Sequence, residues 1–103
     1  MKNINEEELL ELFRQFENNK EKSYQKIYEK YYKLIYSIAF SIVRKQEIAE
    51  DIMQSVFLKL WNLPINQLPT VKPASWLYTI TKNETLLYMR KIKPTISLEK
   101  FMK

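Results

Sequence analysis

Apolar residues recur along this chain at helical rather than alternating spacing, in four runs separated by polar or proline-bearing breaks. In the first run, Leu9, Leu12, Phe13 and Phe16 share one helical face. Asn5, with Glu8 three residues later, supplies its start, because an Asn side chain accepts an orphan amide hydrogen and a carboxylate suits the positive helix end. Asn18-Asn19 ends it, standing in for glycine. The second run is expected to open at Ser23 and carries Tyr24, Ile27, Tyr28, Tyr31, Leu34, Ile35, Ile38 and Ile42 at three-and-four spacing. Tyr32, Tyr36, Phe40 and Val43 widen that stripe to nearly two faces, which predicts the central helix of a bundle.

The third helix is predicted from about Glu47 to Asn62, with acidic residues in its first turns and Ile48, Ile52, Val56 and Leu60 facing inward. Phe57 and Trp61 then fall on its shoulder, beside Gln54. Pro64, Pro69 and Pro73 make residues 63–73 too proline-rich for a helix or a central strand. A fourth helix follows from about Ala74 to Lys91, with Leu77, Ile80, Leu87 and Tyr88 available for the core. Pro94 stops it, and Thr95–Lys103 reads as a short basic tail with Leu98 and Phe101 as anchors. The pattern predicts an all-α fold: a small helical bundle of about four helices with a Pro-rich loop before the last.

Composition narrows the chemistry. At 103 residues, 46% hydrophobic and 28% charged, the chain is expected to form one compact domain. Zero Gly argues against the glycine-rich cradles that bind nucleotide phosphates, and zero Cys with zero His removes disulfides, thiol nucleophiles, zinc sites and the commonest neutral-pH base. Glu47, Glu50 and Asp51 crowd one helix start, but no second acidic cluster follows to complete a metal or acid-base site. No enzyme activity, cofactor or metal is expected. No apolar run approaches the ~20 residues that span a bilayer, and Glu6, Glu7 and Glu8 are the reverse of a signal peptide's basic opening. The expectation is a cytoplasmic protein without membrane insertion.

Charge is divided along the chain. Residues 1–51 carry 9 basic and 10 acidic side chains, whereas residues 52–103 carry 8 basic and 2 acidic. A basic half suits a polyanion such as nucleic acid or an acidic membrane.

Three constellations could use that polarity. Glu50, Asp51, Gln54, Phe57, Leu58 and Trp61 form an acidic, amide and aromatic face on the third helix that could grip another helix, or could simply serve the helix dipole and the core. The loop 63–73 with Trp76, Tyr78, Thr79, Lys82 and Asn83 mixes aromatic, hydroxyl, amide and cationic groups. Such a mixture suits single-stranded nucleic acid, since rings stack on unpaired bases and Lys neutralises phosphates, although Trp76 could equally be core. Arg90, Lys91 and Lys93, with Lys100 and Lys103, could track a phosphate backbone or complement a helix end.

Taken together, the blocks Ile27–Tyr32, Glu47–Trp61 and Trp76–Asn83, in this order and spacing, resemble region 2 of bacterial sigma factors, most closely the extracytoplasmic-function class. The resemblance covers roughly residues 20–93. It implies a helical domain that docks on the clamp helices of the RNA polymerase β′ subunit and captures the melted non-template strand of the promoter minus-ten element, performing no chemistry itself. By position, Glu50, Asp51, Gln54, Phe57, Leu58 and Trp61 fall in the block that faces polymerase in the family. The loop 63–73, with Asn66 and Lys72, corresponds to a specificity loop that holds a flipped base, and Asn83 matches a position that contacts the strand. Trp76, Tyr78, Thr79, Lys82, Arg90 and Lys91 would border that strand.

An anti-sigma factor is a further partner the resemblance implies. The chain departs from the family pattern at Leu87, four positions after Asn83, where an acidic or amide residue is common. No counterpart of the family's region 4 is expected in this chain, which reads either as an excised domain or as a natural short form. Residues 1–93 are expected to form the domain and residues 94–103 the start of a linker or tail. The rival reading is a helical protein-protein interaction module, an adaptor or anti-sigma partner, without sequence-specific DNA binding.

Overall fold

The computed structural model describes residues 5–92, and it is all-helical over that span. Helix α1 (Glu6–Arg14) is followed by α2 (Phe16–Val43), α3 (Gln46–Asn62), a single 3-10 turn at Ile65–Gln67, and α4 (Pro73–Ile92). Lys93, Pro94 and the tail Thr95–Lys103, with its expected anchors Leu98 and Phe101, lie outside the described residues. Helix α2 packs against α1, α3 and α4, as a stripe apolar on most sides requires.

Helix ends follow local chemistry. The Asn5 side chain accepts from the Glu8 backbone N–H at 3.1 Å and so caps α1. Asn19 departs from helical geometry (φ −153°, ψ 78°) and kinks α2. Its side chain accepts from the Lys22 N–H at 3.3 Å, so the helix beyond the kink starts at Asn19. Ser23, the expected start, instead lies one turn inside the helix and is buried. Both residues are good caps in isolation; Asn19 takes the role because Ser23 falls on the inward stripe four residues before Ile27.

At the far end, Arg44 adopts the left-handed conformation (φ 59°, ψ 23°) and its N–H bonds to the Phe40 carbonyl at 2.9 Å. That position ordinarily belongs to glycine, which this chain lacks. Lys72, at φ 47°, is the second such residue and precedes Pro73, the first residue of α4.

The core joins Leu9, Leu12, Phe13 and Phe16 to Ile27, Tyr31, Ile35 and Ala39 of α2 and to Ala49, Ile52, Met53, Val56, Phe57 and Leu60 of α3. Burying each large aliphatic side chain contributes roughly 1.5–3 kcal/mol. Two expectations about this core need correction. On α3 the inward stripe is rotated toward Met53 and Phe57: Phe57 is 1% exposed, while Ile48 is only partly buried. Rings from α2 draw Phe57 in, with Tyr24 and Tyr28 at centroid distances of 6.1 and 4.6 Å.

On α4 the buried row is Pro73, Leu77, Thr81 and Thr85, and Leu87 is exposed. Each threonine hydroxyl donates to the carbonyl four residues back, Thr81 to Leu77 and Thr85 to Thr81, both at 2.7 Å. With its hydroxyl satisfied inside its own helix, a threonine packs as an apolar residue. Ile80 and Tyr88 are partly buried against the core, as expected. The loop also departs from expectation by forming the 3-10 turn, whose neighbour Leu68 reaches the core.

Contacts distant in sequence fix α4. Glu6 Oε1 accepts from the Ala74 backbone N–H at 2.9 Å. Lys72, just before α4, has no oxygen on its side chain to offer, so a carboxylate from α1 caps that helix from outside. Lys30 Nζ meets Glu8 Oε1 at 2.9 Å between α1 and α2, and that carboxylate raises the Lys30 pKa through the shared hydrogen bond.

Three stability outcomes are expected. Glu6→Ala should lose about 1 kcal/mol, the usual cost of an N-cap, and speed amide exchange at the start of α4. Arg44→Gly should raise the thermal midpoint by a few degrees, because a left-handed non-glycine residue costs about 1 kcal/mol. In urea titrations Phe57→Ala should lose about 3–5 kcal/mol, whereas its exposed neighbour Leu58→Ala should change stability by no more than about 0.5 kcal/mol.

Candidate functional site

With its inward side committed to α2, α3 presents Glu47, Glu50, Asp51, Gln54 and Leu58 to solvent. Leu58 is 60% exposed. The Glu50 carboxylate accepts from the Gln46 amide at 3.2 Å, and Asp51 Oδ2 accepts from the Tyr88 hydroxyl of α4 at 3.3 Å. Tyr88 has a raised pKa, first from desolvation and then from the Asp51 carboxylate.

Trp61 is half-buried: the Tyr24 ring meets it edge-on at 4.9 Å, and Lys20 Nζ sits 4.5 Å from its ring centroid. The Tyr24 hydroxyl donates to the Phe57 carbonyl at 3.1 Å, and burial raises its pKa. Of the six residues expected on this face, Glu50, Asp51, Gln54 and Leu58 are exposed together and Trp61 lies at the edge. Phe57 is removed from the surface, because a ring packed among Tyr24 and Tyr28 offers nothing to a partner.

The outward side of α4 carries Tyr78, Thr79, Lys82, Asn83, Leu86, Leu87, Met89, Arg90 and Lys91, all exposed. Trp76 faces the other way, half-buried with its ring 5.8 Å from Phe13 and edge-on to it, so it serves α1 packing more than a ligand. Asn83 and Arg90 come together around an open cleft of about 260 Å³, walled by Lys59, Glu84, Leu86 and Leu87. Leu87, the departure from the family pattern, thus lies in the same cleft as Asn83 and makes it partly apolar.

The loop does not join that cleft. Asn66 and Lys72 are exposed, and the loop's own hollow, about 420 Å³, opens toward α1 between Ile65, Leu68 and Pro69 on one side and Leu10, Phe13 and Arg14 on the other.

Two residues that sequence reasoning missed bind the surfaces together. Lys59 Nζ reaches Glu84 Oε2 at 2.7 Å across the α3–α4 seam. Lys59 is the one cation of α3 and Glu84 the one carboxylate of α4. Opposite charge was the sole sequence clue, and 24 intervening residues hid it. Because the pair forms, α3 keeps a net acidic face with Glu47, Glu50 and Asp51, and α4 a net basic one with Lys82, Arg90 and Lys91.

Among the described residues no helix is long and apolar enough to cross a membrane. Searches of curated proteins and of solved structures gave no significant match. The family model for Sigma-70 region 2 matches residues 27–95, from within α2 through the end of α4. That match spans both exposed faces and the seam between them, and the family is one of non-enzymatic transcription-factor domains. The chain belongs to the Sigma-70 region 2 family, the part of a sigma factor that binds core RNA polymerase and promoter DNA.

Proposed function

We propose that this chain is a region 2 domain of the extracytoplasmic-function class that docks through α3 on the β′ clamp helices and captures the melted non-template strand of the minus-ten element along α4 and the 63–73 loop. The observation that carries this reading is the opposite polarity of two adjacent exposed helix faces. The α3 face is acidic and amide-bearing around an exposed Leu58, a combination suited to a helix that offers cations and an apolar contact. The α4 face has three cations, an exposed Tyr78 and the Asn83 amide, and its only carboxylate is neutralised by Lys59. Cations there hold phosphates, Tyr78 offers a stacking surface and Asn83 a bidentate edge for a base.

In this proposal polymerase contact falls to Glu50, Asp51, Gln54, Leu58 and the edge of Trp61. Strand contact falls to Tyr78, Thr79, Lys82, Asn83, Arg90 and Lys91, with Asn66 and Lys72 on the loop. Residues 1–93 act as the domain and 94–103 begin a linker. The domain works in the cytoplasm, and an anti-sigma protein covering the α3 face is the proposed regulatory partner.

Clamp-helix binding and strand capture separate these roles. Asp51→Ala with Gln54→Ala should weaken binding to a purified β′ clamp-helix fragment by about tenfold or more, equivalent to at least ~1.4 kcal/mol, and leave intrinsic strand contacts intact. Asn83→Ala should spare the fragment and impair capture of a single-stranded minus-ten oligonucleotide by the assembled polymerase. Circular dichroism checks that each variant is folded. Equal loss of both activities in folded variants refutes the division. A wild-type protein that ignores the fragment and shows no base preference is instead an interaction module.

A further inference from the structure

The cleft at the α3–α4 seam contains a cation that the division of labour assigns to neither surface. Lys59 belongs to α3, yet it lines the same cleft as Asn83 and Arg90. Its partner Glu84 is covered, with 14% of the side chain exposed, whereas Lys59 remains 53% exposed. The carboxylate is therefore set into the wall and the ammonium stands at the mouth. An ammonium has three donors, and one bond to Glu84 leaves donors for a second anion. With Arg90, the open cleft holds two cations against one carboxylate, and Leu86 and Leu87 complete its walls.

We infer that Lys59 and Arg90 together hold one backbone phosphate of the single strand, next to the base met by Asn83. This rests on the strand-capture reading and adds a residue from the polymerase-facing helix to the DNA site. Glu84 limits which residue can serve at position 59. Without a cation there, its carboxylate stands unneutralised beside the phosphate path and repels the strand.

The test measures the salt dependence of mixed-sequence, fluorescent single-stranded DNA binding to the assembled polymerase, with clamp-helix binding as the folding control. Lys59→Met should lower affinity by about tenfold or more, as expected for a lost charge-assisted bond. It should also reduce the slope of log affinity against log salt by about 0.7, the single-strand value for one phosphate contact. The double variant Lys59→Met, Glu84→Gln keeps the net charge of the cleft. It should recover the part of the affinity lost to the bare carboxylate while the slope stays reduced.

Full recovery of affinity and slope in the double variant would overturn the direct contact and leave only a general charge effect. An unchanged slope in Lys59→Met, with Asn83→Ala still impairing capture, would overturn this inference alone. Inorganic phosphate binding that Lys59→Met abolishes, with strand affinity and salt slope unchanged by the same variant, would assign the cleft to a free anion and overturn the strand contact. If Asn83→Ala has no effect either, the strand-capture reading itself fails.

Discussion

Everything in this fold depends on the burial of one stripe of α2. Ile27, Tyr31, Ile35 and Ala39 are at most 3% exposed, and they join the buried residues of α1 and α3 in one core. Alanines at two of these buried positions, Ala39 and Ala49, leave room for the helices to approach closely. The stripe continues one row further as the half-buried rings of Tyr24, Tyr28, Tyr32, Tyr36 and Phe40. Within that row Tyr28 stacks on Tyr32 at 5.6 Å and Tyr36 on Phe40 at 5.8 Å. Once α2 has fixed the rotation of α3, the residues α3 shows to solvent are no longer free to vary in place. Its exposed acidic ridge is the complement of its buried face.

A chain without glycine has to end its helices by other means. Arg44 and Lys72 take the left-handed conformation at some cost, and Asn19 breaks α2 through its own side chain. In exchange, the unfolded chain lacks the flexibility that glycine brings, which offsets part of that cost through the entropy of the unfolded state. The cap on α4 shows the same economy: the helix start has no local acceptor, and Glu6 supplies one from the opposite end of the sequence. Helix α1 lies outside the segment matched by the family model, yet it caps the start of α4.

Spacing of apolar residues made the four helices, the central place of α2 and the position of the long loop legible, and α3 and α4 fall within a residue or so of their expected bounds. The failures have a common cause. Counting threonine as polar hid Thr81 and Thr85, which continue the buried row of the expected Leu77, and drew Leu87 inward, although hydroxyls can satisfy themselves on their own helix. A strict four-residue stripe on α3 placed Phe57 on the shoulder because it ignored the rings waiting on α2. Ser23 and Asn19 are equivalent as local caps, and only the tertiary fold chooses between them. At the site, the exposed members of both faces were readable from their helical positions. The Lys59–Glu84 pair was not, since nothing local marks two residues on different helices as neighbours.

Two side-chain bonds cross the α3–α4 seam: Asp51 with Tyr88 and Lys59 with Glu84. They raise the question of whether binding on one face alters the other. The Asp51–Tyr88 contact is exposed and long at 3.3 Å, so its net worth is at most about 1 kcal/mol. A partner that captured Asp51 could therefore change the opposite face by no more than a factor of about five. Lys59 differs, because its bond to Glu84 is short and it remains half-exposed at the cleft mouth. On the proposed reading, contact between the two functions passes through this side chain rather than through a change of shape. In the proposed division of labour, a rigid core with one cation at the seam lets polymerase and strand engage neighbouring faces of the same domain.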